Sequence, residues 1–448
     1  MYASSHEMDM CHGPLFSKII VFALPVIISG ILQLLFNATD MIIIGQYDST
    51  NALAALGSVT ALINFFVNLM MGISIGANVI VARYFGAKKW KELHDAVHTS
   101  ISISFLAGVA VAILAILLSR PILVFMDTPD NVIDLAALYI RIYFIGLPFS
   151  MLYNFGSAIL RAVGDTKRPL LYLAISGIIN VLLNYIFVKY LHLSVAGVAF
   201  ATILSQAISA IFVIRDLLKE KGEYKLIRQD LRIHPHMLKQ ILQIGLPAGI
   251  QSMLFSISNI LIQASINSFG SVAMAGNTAC ASIEGFVYMS MNAIYQTNIS
   301  FSSQNYGAGD YKRMDRSLLY CLLLVTGLGL SLGFLVTYFG HPLLALYNDD
   351  EAVIQYGLDR MMVICTTYFT CGIMEVLVGS LRGIGYGILP MIVSLIGVCG
   401  LRILWIATYF AEHHTLRVLY LSYPITWCIT ILAHAICLII IRHKLRKS

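Results

Sequence analysis

Three carboxylates, Asp40, Glu284 and Glu375, stand inside long apolar stretches of a chain that is 58% hydrophobic and only 12% charged. A carboxylate withdrawn from water is costly, and inside a membrane segment it marks an ion or substrate pathway by default. Burial also makes a carboxyl group hold its proton more tightly, by up to ~3–5 pKa units when complete. Such an acid serves one of two chemistries. It can load and release a proton near neutral pH, or as an anion it can hold sodium or an organic cation.

Each acid has polar company at helical spacing. Asp40 follows Gln33, Asn37 and Thr39 on the first apolar stretch, whereas Asp48, a few residues on, is placed to reach water. Asn180 and Asn184 lie at i, i+4 on the fifth stretch and share one helical face. With Asp40 they could bond a protonated acid or complete an oxygen shell around sodium; the alternative is interhelical packing glue. Asn277, Glu284, Tyr288, Asn292 and Gln296 form a stripe on the eighth stretch, either lining a cavity or sealing a polar seam. By helix rise, Arg402 lies ~12–15 Å and Glu284 ~16 Å from the outer surface, so the two could pair as a gate or a strut. Glu375, seven residues before Arg382, either serves a second site or pairs with a basic neighbour. Arg141 and Arg360, near outer helix ends, are expected to reach the surface. Met41, Met70, Met71, Met289 and Met291 read first as core, second as an adaptable wall for varied ligands.

The elements that must position these residues are membrane helices. About twenty apolar residues cross a bilayer core, and twelve such spans fall near 17–44, 52–80, 94–119, 131–156, 168–189, 194–217, 238–265, 273–300, 315–339, 352–379, 387–410 and 416–441. The first and seventh run long, and Pro25 and Pro247 sit in matching places to kink them as hinges. With the N-terminus placed in the cytoplasm, 23 of the 29 lysines and arginines fall on inside segments and three (Arg120, Lys189, Arg417) outside. That asymmetry predicts a multi-pass protein of the cytoplasmic (inner) membrane with both termini cytoplasmic. The net charge of +6 is therefore a topology signal, and no nucleic-acid partner is expected. The eight cysteines are dispersed without a C-x-x-C and read as small buried hydrophobes. The N-terminal stretch lacks a cleavage signature, so the first helix is expected to be retained.

The chain also repeats itself at an offset of 221–222 residues. Leu24-Pro25 returns as Leu246-Pro247, and Asp130-Asn-Val132 as Glu351-Ala-Val353. Arg83-Tyr-Phe85-Gly86-Ala87 returns as Gln304-Asn-Tyr306-Gly307-Ala308, and Leu160-Arg161-Ala-Val-Gly164 as Leu381-Arg382-Gly-Ile-Gly385. Anchors at one period mean a duplicated unit. Six spans per half is an even number, so the halves run in the same direction. The expected fold is an all-α integral membrane protein: twelve transmembrane helices in two six-helix lobes related by a pseudo-two-fold axis along the membrane normal. The lobes are 1–217 and 238–448, joined by a cytoplasmic linker at 218–237, and the design is expected to work as a monomer. Duplicated helical halves are a transporter architecture. No G-x-x-x-x-G-K-[ST] loop and no H-E-x-x-H occur, and His6-Glu7 lies in the polar tail, so neither nucleotide hydrolysis by that loop nor an enzyme is expected. Gly327, Gly329 and Gly333 read as helix packing, and Gly383, Gly385 and Gly387 as a turn between helices.

These residues resemble the multidrug and toxic-compound extrusion (MATE) transporters of bacterial type, over essentially the whole chain. Gly76-Ala77, Tyr84-Phe85-Gly86-Ala87 and Gln304-Asn-Tyr-Gly307-Ala308-Gly309 match the family's repeated loop after the second and eighth helices. Leu160-Arg161-Ala-Val-Gly164-Asp165-Thr166 and Leu381-Arg382-Gly383-Ile-Gly385 match the loop after the fourth and tenth, and Asn37-Ala-Thr-Asp40 with Gly45 resembles the first-helix carboxylate motif. The resemblance implies two lobes, alternating access, and export of cationic or amphipathic organic compounds against proton or sodium entry, with no other cofactor. It places Asp40 as the ion-coupling carboxylate with Asn37, Asn180 and Asn184 beside it. Glu284, Glu375, Tyr288, Asn292, Gln296 and Arg402 would line the C-lobe cavity. Relatives often carry an acid where Asn184 stands, so this site has one formal charge fewer, and Cys371 holds the position where sodium-type members put a tenth-helix acid. The runner-up within the same superfamily is a flippase for lipid-linked saccharides. Such a protein should line its cleft with arginine and lysine, and here only Arg141, Arg360 and Arg402 fall within spans.

Overall fold

A computed structural model describes residues 7–126 and 128–445. His6, Arg446 and Lys447, and the side chains of the Asp130 and Asn131 anchor, lie outside the described residues. Regular structure among the described residues is entirely helical. In hydrocarbon this follows from the backbone, which must satisfy its own N–H and C=O groups within each segment. The first half runs α1 (Leu15–Tyr47), α2 (Thr50–Gly86), α3 (Trp90–Phe125), α4 (Asp130–Ile145), α5 (Leu147–Ala162), α6 (Lys167–Tyr185) and α7 (Ser194–Lys219). The second runs α8 (Pro235–Asn267), α9 (Ser271–Gly307), α10 (Tyr311–Tyr338), a short α11 (Gly340–Ala345), α12 (Glu351–Ile384), α13 (Ile388–Ser394), α14 (Leu401–Trp405) and α15 (Leu416–Leu445).

Ten of these helical segments are long and apolar enough to cross a membrane, and an eleventh span forms if α4 and α5, bent by 45° at Gly146, are taken together. The twelfth expected span is α9, which is long at 37 residues. Its stripe of Asn277, Glu284, Asn292, Gln296 and Asn298 lowers its apolarity, so it stands out by length and not by hydropathy. Outward positions such as Leu106, Leu114 and Leu117 of α3 are exposed apolar side chains, as lipid-facing positions must be.

The duplication is visible in the backbone. Gly164 and Gly385, which end the equivalent helices α5 and α12, both take left-handed φ angles, of 98° and 109°. Lys88 and Gly309 do the same after α2 and α9, at 54° and 74°. A π-helical turn at Ile186–Tyr190 follows α6, and its counterpart at Ile406–Phe410 follows α14. A third, at Leu395–Gly400, precedes α14.

The chain forms two compact units, Met1–Met10 with Ile28–Gly249, and Cys11–Ile27 with Ile250–Ser448. Both α1 and α8 therefore divide between units, in each case two residues beyond an internal proline, Pro25 or Pro247. The polar stretch after α7 is tied down within the first unit. The Ile227 N–H donates to His98 Nε2 at 2.9 Å and the His234 N–H to Thr99 Oγ1 at 3.1 Å. Arg168 bonds Glu220 at 3.2 Å and also grips Asp165, which caps α6 through the Lys167 and Arg168 N–H groups.

Candidate functional site

In the first unit, a side chain of α1 reaches across to α6. A Cβ on Gly177 of α6 would overlap the Phe36 ring of α1, so any larger residue there makes the ring turn aside. One turn beyond Phe36, Asp40 meets α6: Asn184 Nδ2 donates to Asp40 Oδ1 at 2.5 Å and to Asn180 Oδ1 at 3.2 Å. Asn180 Nδ2 in turn reaches Thr202 Oγ1 of α7 at 3.5 Å. The chain of bonds joins α1, α6 and α7. One group in it has no partner: Asn184 Oδ1 is buried and accepts nothing. A buried acceptor without a donor is uncommon and costly, and beside a carboxylate it is an oxygen suited to a cation.

The expected members do not all converge. Asn37 and Gln33 are exposed on α1. Two residues the sequence did not single out do, because Tyr139 and Tyr143 of α4 lie close enough to feel the Asp40 charge. Their i, i+4 spacing was readable, but aromatic pairs on an apolar helix ordinarily mean core.

In the second unit, Glu284 finds an arginine other than Arg402. Arg360 of α12 is buried, not surface-reaching, and its Nε and Nη2 close on the two Glu284 carboxylate oxygens at 2.8 and 2.7 Å. Its Nη1 donates to Asn277 Oδ1 at 2.5 Å, and Asn277 Nδ2 continues to Gln263 Oε1 of α8 at 3.0 Å. Cys280 adds a 3.3 Å contact to Glu284. This pair is bidentate and hydrogen-bonded on every side. It joins α9 to α12 as a strut.

Further along α9, the other stripe members converge on the remaining acid. Gln296 donates to Asn292 Oδ1 at 2.8 Å, and Asn292 Nδ2 bridges Tyr288 at 3.5 Å and Glu375 of α12 at 3.4 Å. Asn298 fastens the next turn, to the Val376 carbonyl at 2.8 Å and Ser380 Oγ at 2.9 Å. Arg382 is spent on Tyr295 and on Gln251, the latter at 2.8 Å.

Arg402 is the anomaly. It is 3% exposed, its guanidinium lies 4.1 Å over the Tyr423 ring, and its buried Nε and Nη2 have no hydrogen-bond partner. Burying one ion costs several kcal/mol even after relaxation. A desolvated cation–π contact returns about 2 kcal/mol. The balance is unfavourable.

The fold and its buried polar sites define a multi-pass membrane transporter built from duplicated helical halves. The MatE family model matches the chain twice, at residues 25–186 and 247–408, with the two matches offset like the repeat itself. The chain belongs to that family, the MATE multidrug efflux transporters, whose members are transporters and not enzymes. It is similar to the probable multidrug resistance protein YoeA of Bacillus subtilis (strain 168), 26% identical over 92% of this chain and 91% of that one. A second relative of the same organism, the probable multidrug resistance protein YpnP, is 25% identical over 90% of each chain. Among solved structures, an outward-facing MATE family multidrug resistance transporter superposes with a TM-score of 0.93 over 100% of both chains at 20% identity.

Proposed function

We propose that this chain is an ion-coupled antiporter that exports cationic or amphipathic organic compounds by alternating access, driven by proton or sodium entry through the Asp40 site. The observation that carries this reading is the bond from Asn184 to Asp40 together with the unmatched Asn184 Oδ1. A proton on Asp40 turns the carboxylate from acceptor to donor and reorganises the chain of bonds joining α1, α6 and α7. A sodium ion would instead draw on Asp40, Asn180 Oδ1 and Asn184 Oδ1, an all-oxygen set suited to a hard cation. Either event alters how α1 is held to α6.

On this reading 1–217 and 238–448 act as the two lobes, with 218–237 as the linker on the cytoplasmic side, both termini cytoplasmic, and the monomer as the working unit in the inner membrane. Pro25 and Pro247 serve as hinges, since each removes a backbone hydrogen bond from its helix. Glu375, Asn292, Tyr288 and Gln296 line the C-lobe cavity, while Glu284 is a strut. A saccharide-lipid flippase is disfavoured because Glu284 neutralises Arg360, leaving Arg402 as a single guanidinium where the diphosphate of such a lipid calls for several cations.

The test is uptake of a cationic fluorescent dye into proteoliposomes under a proton or a sodium gradient imposed separately, for wild type and Asp40→Asn. Transport driven by one gradient and lost in the variant supports the reading and names the ion. Gradient-driven transport that survives Asp40→Asn moves coupling to Glu375. No gradient-driven transport of any of several dyes overturns it.

A further inference from the structure

We infer that Arg402 forms an anion-accepting subsite in the second unit, one that takes the carboxylate of a planar aromatic acid. Two arginines of one unit differ in what they hold. Arg360 spends its side-on fork, Nε and Nη2, on Glu284 at 2.8 and 2.7 Å. Arg402 presents the same fork, and both of those nitrogens are buried without a partner. A guanidinium does not shed its charge in a protein, so burial cannot be relieved by deprotonation, as it can for lysine. The Tyr423 ring 4.1 Å beneath it offsets only part of the burial. The charge is therefore held in a place where an anion completes it.

The protein's own acids on the neighbouring helices are engaged elsewhere. Glu284 belongs to Arg360, and Glu375 accepts from Asn292 at 3.4 Å. Cys371, one turn before Glu375 on α12, is a thiol and not a third acid. Two unpaired N–H groups in one plane match the two oxygens of a carboxylate, which binds such a fork through parallel hydrogen bonds. Aromatic side chains near Arg402 bear on the rest of the ligand. Tyr423, Trp427 and Tyr368 form a run of edge-on rings, 5.5 Å from Tyr423 to Trp427 and 5.3 Å from Trp427 to Tyr368. Flat rings of this kind receive a flat aromatic body. Arg402 also lies on the single short helix α14 between two π-helical turns, Leu395–Gly400 and Ile406–Phe410. Such turns free backbone groups and recur at functional sites.

The subsite widens the cargo from cations to aromatic acids and zwitterions, and its existence does not depend on the ion coupling proposed above. The test uses purified protein in detergent with 2-naphthoate and its neutral analogue 2-naphthamide, read by energy transfer from tryptophan. Trp405 is three residues from Arg402, and Trp427 lies within the ring cluster. Saturable binding is expected, with naphthoate at least tenfold tighter than naphthamide. Arg402→Gln should abolish that preference, and Arg402→Lys, a point charge without the fork, should keep part of it. The measurement is made without any ion gradient, so its outcome does not depend on the coupling site. Thermal melting guards against a folding artefact. Arg402→Gln removes an uncompensated charge and should melt no lower than wild type without ligand, and naphthoate should raise the wild-type melting temperature but not the variant's. Equal affinity for acid and amide, or anion binding retained in Arg402→Gln, overturns the inference. So does naphthoate binding that appears only in Glu375→Gln, for then Glu375 is the counter-ion of Arg402.

Discussion

Glu284 and Arg360 form a buried, two-point ion pair, at 2.8 and 2.7 Å, that joins α9 to α12. Removing one partner from such a pair leaves the other charge buried alone, at a cost of about 3–5 kcal/mol, whereas replacing both with apolar groups is often nearly neutral. Glu284→Gln and Arg360→Met should therefore each lower the melting temperature sharply. The double variant should melt above either single one. A double variant that melts at the sum of the two losses would show that the residues do not act as a pair.

How much of this was legible in the sequence depends on what each signal can resolve. The i, i+4 asparagines and the first-helix acid were readable because polar groups at helical spacing stand out against apolar surroundings. The partner of Glu284 was not. Arg360 lies nine residues into α12, which puts it ~13 Å along the axis, the same depth assigned to Arg402. Helix rise fixes depth but not which way a residue faces, so two arginines at one level could not be told apart. Arg360, counted among residues near outer helix ends, is expected from sequence to reach the surface, although the same arithmetic sets it as deep as Arg402. Tyr139, Tyr143 and Thr202 carry no charge, and their types are those of ordinary core and helix-packing positions. The repeat, by contrast, was fully readable. It rests on glycines whose left-handed backbone, as at Gly164 and Gly385, admits few other residues.

Phe36 of α1 lies against Gly177 of α6, where a Cβ would overlap its ring. Gly177→Val should push the helices apart and separate Asp40 from Asn184. Overpacking of this kind costs about 1–3 kcal/mol, so the protein should still fold. Gradient-driven dye transport should nonetheless fall as it does in Asp40→Asn, and Gly177→Val/Phe36→Ala should restore part of it. Failure of the second change to rescue would place the defect elsewhere than at this contact.

Asn184 donates to Asp40 at 2.5 Å, and its own side-chain oxygen is buried without a partner. Hydrogen bonds to charged groups contribute about 1.5–3 kcal/mol, or roughly 10- to 150-fold in an equilibrium. Asn184→Ala should raise the concentration of driving ion needed for half-maximal transport by a factor in that range, while dye binding without a gradient stays the same. A change in dye affinity with unchanged ion dependence would assign Asn184 to the substrate and not to the ion.

Outside the membrane segments, Glu220 gives a pH dependence whose sign can be worked out. Burial acts to raise its pKa. The Lys221 N–H, the Tyr224 hydroxyl and the Arg168 guanidinium outweigh burial and hold it below the ordinary value. A depressed carboxyl pKa contributes stability that is complete above the unfolded value, about 4.3 for glutamate, and is lost as pH falls through the folded one. Because the Arg168–Glu220 contact at 3.2 Å ties the stretch after α7 to the start of α6, that stretch should loosen first in mild acid. Limited proteolysis between residues 220 and 234 should therefore accelerate below about pH 4.3, the ordinary glutamate value. Glu220→Gln should be cleaved faster than wild type at neutral pH, and its rate should change little on acidification. A variant that keeps the wild-type acid response would show that Glu220 does not carry it.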